Sequence, residues 1–216
     1  MRNATGTNEH GRAADGARPR SDRGRARRDL ILRAATELFL EIGYGETSVD
    51  AIVARAGGSK ATLYSYFPSK GDLFRAVIDS IVLLREGAEL DPSSDVRTEM
   101  VDWAVKRLGV VFSKQHRALL RLIVSERDRF PDIAQSYYER GPGLSRKPLA
   151  DYLAALQEEG VLHVRSPEEA AEFFIGMLVH EWYVQQLYLS APPPTTEEIL
   201  ARAQYVVDRF LDAFRR

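Results

Sequence analysis

The 216-residue sequence predicts an all-α chain. Apolar residues recur at three- and four-residue spacing over most of its length, and no alternating stretch is long enough to make a strand. Gly, Pro and Ser breaks fall at helix-sized intervals. The runs sort into about nine helices. They form a three-helix helix-turn-helix unit at residues 25–75 and a larger helical domain at 76–216, preceded by a basic arm at 1–24.

Composition narrows the possibilities. A hydrophobic fraction of 44% is ample for a buried core, yet no run of eighteen apolar residues predicts a membrane span. The absence of cysteine excludes disulfides and thiolate metal sites and suits a reducing cytoplasm, where the chain is expected to work. Its first residues lack the apolar segment of a secretory signal. The net charge of −1 does not advertise nucleic-acid binding, but its distribution does. Residues 1–27 carry seven Arg against three acids, 28–75 balance at six and six, and the remainder holds −5. The arm has too little apolar surface to fold alone. It is either an unstructured extension (or a misassigned start) or a basic arm reaching DNA beside the helix-turn-helix, with Arg25, Arg27 and Arg28 nearest the first helix.

The first helix spans about Arg25 to Ile42, with Leu30, Ile31, Ala34, Ala35, Leu38, Phe39 and Ile42 as its inner stripe, and Gly43 ends it. Thr47 to Phe74 then reads as two short helices joined by a tight turn, plus the start of a fourth. Thr47 has a helix-start oxygen with Asp50 three residues on, and Val49, Ile52, Val53 and Ala56 make a short stripe. Gly57-Gly58 supplies the positive φ of a sharp turn. Ser59 caps the next helix and Leu63 and Phe67 anchor it. Lys60, Ala61, Thr62, Tyr64, Ser65 and Tyr66 then face outward or flank, which suits insertion into a major groove.

Residues Arg28 to Phe74 resemble, without gaps, the DNA-binding domain of the TetR/AcrR family of bacterial transcriptional regulators. The matching features are Ile31-Leu32, Ala34-Ala35, Leu38-Phe39, Gly43-Tyr44, Thr47-Ser48-Val49, Ile52, Ala56-Gly57 and SKATLYSYFPSKGDLF. Gly58 stands where the family more often has Val, and Ala61 where it more often has Gly. The resemblance implies a dimer that reads a pseudo-palindromic double-stranded operator and is released by a small-molecule effector. Lys60, Thr62 and Tyr64 are expected at base edges, with Ser59 and Ala61 on the same surface. Arg28, Thr47, Tyr66 and Lys70 are expected at phosphates; Lys70 opens the fourth helix, which carries Leu73, Phe74, Val77, Ile78, Ile81 and Leu84.

Beyond Asp91-Pro92-Ser93-Ser94-Asp95, a fifth helix runs to about Phe112, and a sixth carries Leu119, Leu120, Leu122, Ile123 and Val124. A seventh opens at Pro131, is interrupted at Gly141-Pro142-Gly143 and resumes to Gly160. FPDIAQSYYERGPG resembles a segment found in one subgroup of the family. Pro167 to Leu189 is apolar nearly all round, and Thr195 to Phe214 carries a wide stripe, so a second subunit is expected to cover part of them. The resemblance places the dimer interface here, at Phe173, Val184, Leu187, Val206, Phe210 and Phe214. It also implies an effector pocket, for which Trp103, Phe112, Leu119, Ile123, Tyr137, Tyr138, Phe174, Met177, His180 and Trp182 are candidates; taken singly, each aromatic reads as core.

Enzyme chemistry finds no footing. His180-Glu181 begins a zinc-protease pattern that Val184 fails to complete, and His10, His116 and His163 share no ligand spacing with it. No metal site and no cofactor are expected. A ligand-independent regulator or activator would share the DNA-binding half. A pure interaction protein would keep the fold and lose DNA binding, a possibility that Gly58 and Ala61 leave open.

Overall fold

A computed structural model of the chain describes residues 20–82, 90–189 and 191–215. The helices are α1 (Arg20–Ile42), α2 (Val49–Ala56), α3 (Lys60–Tyr66), α4 (Lys70–Val82) and α5 (Val96–Val111). They continue with α6 (Lys114–Glu126), α7 (Pro131–Tyr138), α8 (Leu144–Glu158), α9 (Pro167–Tyr188) and α10 (Thr196–Phe214). A π-helical turn, Glu139–Gly143, joins α7 to α8 without a break, so the described residues form nine rods and no β-strand. No helix among them is long and apolar enough to cross a membrane.

Two features depart from the sequence reading. The interruption expected at Gly141-Pro142-Gly143 is instead a continuous helix. Pro142 cannot donate an α-type backbone bond and its ring crowds the preceding turn, and the wider π turn takes up both. In addition, α1 begins at Arg20, five residues before the expected start, so the last part of the arm is helical. Asp22 in its first turn complements the helix dipole, and Gly24 passes close to the Tyr66 hydroxyl. Polar and glycine residues here show no apolar period, so the extension rests on contacts with the helix-turn-helix. Residues 1–19 of the arm and Leu84 lie outside the described residues.

The apolar stripes build two cores. In the first, Ile31 and Phe39 of α1, Ile52 of α2, Leu63 of α3 and Phe74 and Ile78 of α4 pack with Leu119 and Ile123 of α6 and Tyr137 of α7. In the second, α5, α8, α9 and α10 meet around Trp103, Leu108, Leu153, Phe174, Leu178 and Phe210. A boundary at residue 75 therefore falls inside α4, whose later residues Val77, Ile78, Ile81 and Val82 still belong to the first core. Two ties fix α4 to the α7–α8 rod: Arg140 grips both Asp79 oxygens at 2.7 and 2.6 Å, and Arg75 Nε donates to Ser136 at 3.4 Å.

The first core also encloses one polar pair. His116 is fully buried, its Nε2 lies 2.9 Å from the Tyr137 hydroxyl, and its Nδ1 has no partner among the described residues. Burial, with the nearby Arg107 charge adding, pulls its pKa from 6.5 down to about 4. Between those values an unfolded chain binds a proton that the folded chain refuses, so stability is intact above about pH 6.5 and lost as the pH falls towards 4. At full depression the loss is on the order of 3 kcal/mol. In the His116→Gln protein this part of the acid limb is expected to disappear; urea titrations between pH 7 and 4 measure it.

Candidate DNA-reading surface and effector cleft

The geometry of the helix-turn-helix follows from its caps. Ser48, rather than Thr47, starts α2, accepting the Ala51 N–H at 3.1 Å. Thr47 is only 1% exposed, and its hydroxyl donates to the Gly43 carbonyl at 2.6 Å. The expectation of a phosphate contact at Thr47 is corrected accordingly: its oxygen is spent fastening the α1–α2 turn. The turn into α3 takes φ of 76° at Gly57 and 87° at Gly58. Into that bend comes Arg27 of α1, whose guanidinium donates to the Ala56 carbonyl at 2.8 Å and to the Gly57 carbonyl. A Cβ at position 58 would collide with that guanidinium, so the departure at Gly58 and the position of Arg27 are one arrangement.

Ser59 caps α3 by accepting the Thr62 N–H at 3.1 Å, and its hydroxyl also lies 3.0 Å from the Thr62 hydroxyl. Leu63 and the buried Phe67 pin the inner face. Lys60, Ala61, Tyr64 and Ser65 are exposed, while Thr62 and Tyr66 are half-buried. The Lys60 ammonium sits 2.8 Å from Asp50 of α2, and that hydrogen-bonded pairing raises its pKa. Arg28 lies 5.0 Å over the Phe67 ring with its surface open.

Lys70 does not point to a free helix start. Its ammonium lies 4.5 Å over the Tyr44 ring and donates to the Gly45 carbonyl at 3.4 Å, and burial lowers its pKa. The α4 N-terminus is already occupied: Ser69 accepts the Asp72 N–H at 3.0 Å and donates to the Asp72 carboxylate at 2.7 Å. The pairing of an α4 N-terminus with the Lys70 ammonium, expected as a phosphate cradle, is therefore not the arrangement in this structure.

The ten effector candidates do not share one cavity. Trp103 and Phe174 belong to the second core and Leu119, Ile123 and Tyr137 to the first, while Tyr138, Met177 and His180 are exposed. His180 was expected as a core or pocket residue; it is instead exposed on α9. Phe112 alone among the ten lines a shallow cleft that is open to solvent, and its ring meets that of Trp182 edge-on at 5.3 Å between centroids. The cleft takes Val111 and Phe112 from the end of α5, Arg117, Leu120 and Arg121 from α6, and Tyr183, Gln186 and Leu187 from α9. Arg117 is held in place by the Gln186 amide oxygen and by the Ala191 carbonyl, the latter at 3.1 Å.

The interface candidates divide likewise. Val206 and Phe210 are buried in the second core, because α10 turns its wide stripe inward, and Phe214 packs half-buried against that core. On α9, Phe173 is 65% exposed, Met177 and Leu187 are also open, and Val184 is half-buried. Arg27, named with the arm as a DNA contact, holds the α2–α3 turn, whereas Arg117 and Arg121 were missed as site residues because a lone arginine has no periodic signature. So was Glu126, whose Oε1 accepts the Gly45 N–H at 3.1 Å and thereby ties the end of α6 to the α1–α2 turn.

Comparisons with known proteins agree with this layout. The family model for the C-terminal domain of AefR-like transcriptional repressors matches residues 98–216, and that for bacterial regulatory proteins of the tetR family matches residues 31–77. The solved structure of the flavonoid-responsive regulator FrrA is 34% identical; the match covers 88% of this chain and 97% of that one at a TM-score of 0.75. A TetR-family regulator from Mesorhizobium loti is 25% identical over 90% of this chain and 99% of its own, also at 0.75. The helix-turn-helix-type regulator Rv1556 of Mycobacterium tuberculosis is 27% identical over 82% of this chain and 84% of its own.

The Arg27–Gly58 arrangement makes a coupled prediction. Gly58→Ala meets both an unfavourable φ and the guanidinium and is expected to cost about 2 kcal/mol in unfolding free energy. In an Arg27→Ala background the φ cost alone remains, about 1 kcal/mol. A double-mutant cycle by chemical denaturation measures the difference.

Proposed function

This chain belongs to the TetR family of bacterial regulatory proteins, and from that premise we propose that it is a dimeric, ligand-responsive repressor of a pseudo-palindromic operator. It is a helix-turn-helix transcriptional regulator and not an enzyme. The observation that carries the finer reading is α6, which lines the cleft with Arg117, Leu120 and Arg121 and holds the DNA-binding turn through Glu126. Repression is supported by the match to the AefR-like repressor domain, and response to a small molecule by FrrA, which is flavonoid-responsive.

In this reading Lys60, Ala61, Thr62 and Tyr64 approach base edges from α3, while Arg28, Tyr66 and the Ser59 end of α3 meet phosphates. Lys60 must leave Asp50 to do so, which costs little because exposed ion pairs are weak. Dimerisation is supported by α9: Phe173, Met177, Val184 and Leu187 recur at multiples of three and four residues along a face that one chain leaves open. Two recognition helices then meet successive major grooves about one helical turn apart. Effector binding displaces α6, and with it Gly45 and the α1–α2 turn; the ligand acts only if it binds the displaced state more tightly.

Two expected outcomes test this. In mobility-shift titrations with the DNA flanking its own gene, Lys60→Ala weakens specific binding by about 1–3 kcal/mol and leaves binding to unrelated DNA much less affected. A Phe173→Glu, Leu187→Glu double variant sediments as a monomer and loses the operator. A dimeric double variant would refute the α9 interface, and equal losses on both DNAs would refute the role given to Lys60.

A further inference from the structure

Resting on the effector-binding reading above, we infer that the α5–α6–α9 cleft takes an apolar molecule carrying an ionised carboxylate. Two arginines, Arg117 and Arg121, stand in its wall, and no acid does. A third, Arg107, lies one helical turn before Val111 on α5 and within electrostatic reach of Tyr183 and Tyr137. Among the described residues, no carboxylate forms an ion pair with any of the three, and Arg107 and Arg121 donate no hydrogen bond. Other arginines of the body find acids readily: Arg140 has Asp79, and Arg97 has Asp208 at 2.7 Å.

An enclosed guanidinium without a counter-ion is costly, and a carboxylate that forms charge-assisted bonds to it recovers that cost. Arg107 is half-buried, and burial lowers its pKa, so its charge is poorly hydrated where it stands. Arg117 is held by Gln186 through its Nε and by the Ala191 carbonyl through one terminal nitrogen, which leaves the other terminal nitrogen free to donate to a ligand. The remaining walls, Phe112, Leu120, Tyr183 and Leu187, offer aromatic and aliphatic surface to the body of the molecule. A cationic ligand would meet two like charges in the wall. A neutral one would leave the guanidiniums as it found them. The carboxylate alone gains from both halves of the cleft.

Calorimetric titration of the full-length protein with 2-naphthoate and its neutral analogue 2-naphthamide tests the assignment. The carboxylate is expected to bind at least about tenfold tighter than the amide. Arg121→Gln, at an exposed position, and Arg107→Met, which removes a poorly hydrated charge, are each expected to shrink that preference severalfold, with melting temperatures confirming that both variants fold. Equal affinity for the two compounds, binding of neither, or a preference that survives both substitutions overturns the inference. A mobility-shift assay on the operator separates it from the reading it rests on. Naphthoate that binds with this preference and fails to release DNA keeps the carboxylate site and removes the effector role. Release by a neutral compound, with naphthoate and naphthamide equal, does the reverse.

Discussion

One aromatic knot ties α1, the α1–α2 turn and α4 of the DNA-binding half to the α6–α7 corner. Phe39 of α1 and Phe74 of α4 meet edge-on at 5.1 Å, Tyr44 of the α1–α2 turn packs on both, and Phe130 from the α6–α7 corner closes on Tyr44 at 4.9 Å. Each such pair adds about 0.5–1.5 kcal/mol beyond the area it buries. The Lys70 ammonium covers the Tyr44 face, and Glu126 holds Gly45 one residue on. Because Phe130 comes from the body of the protein, the helix-turn-helix cannot reorient without disturbing the end of α6. That corner therefore holds the helix-turn-helix to the later helices together with the Arg140–Asp79 and Arg75–Ser136 ties of α4.

That joining consumes charge. Arg27 is spent on the α2 C-terminus, Lys70 on the turn, and Lys60 on Asp50, while Arg28 lies over Phe67. Residues 28–75 are neutral overall, so long-range attraction to a polyanion cannot arise from their sum. What they offer is reversible pairing. The Lys60–Asp50 bridge is solvent-exposed and therefore weak, so a phosphate or base edge can displace Asp50 at little cost. The half-buried Lys70 is held by a ring face and a carbonyl together, and moving it would also open the turn. Two lysines ten residues apart therefore have different tasks, and their surroundings, not their charge, set the difference.

The fold class and the order of the helices were legible because apolar periodicity records burial directly. The inward stripes of α1, α2, α4 and α6 are largely the ones that the spacing picks out, although Leu30 and Ile42 at the ends of the α1 stripe and Val124 of α6 are exposed. Caps were legible to within a residue: Ser59 was read correctly, while Thr47 and Ser48 both offer a hydroxyl, and only the fold shows that the first points inward. The amphipathic reading failed where two neighbours compete for one stripe. Val206 and Phe210 have the spacing of an interface, but α5 and α9 cover them before a second chain could. The aromatic residues of the larger domain carry no label separating wall from core, so Trp103 and Phe174 were indistinguishable from Phe112 in sequence. The arginines of the cleft were invisible for the opposite reason. Their significance lies in the acids that are missing around them, and absence in space has no linear signature.

In the ligand-responsive reading proposed above, the length of α6 decides what kind of signal the protein can pass. Arg117 and Glu126 are nine residues apart, or about 14 Å along the axis, and the helix between them is continuous and packed by Leu119, Leu122 and Ile123. A ligand at the cleft cannot touch the turn, so it must move α6 as a body or leave DNA binding unchanged. A hundredfold change in operator affinity needs about 2.7 kcal/mol of coupling. Breaking one hydrogen bond to a carboxylate, such as the one from Gly45 to Glu126, is worth about 1.5–3 kcal/mol. The Glu126 tie, beside the Tyr44–Phe130 contact and the Arg129–Glu46 pair at the same corner, is therefore of the right size to pass a movement of α6 to the turn in that reading.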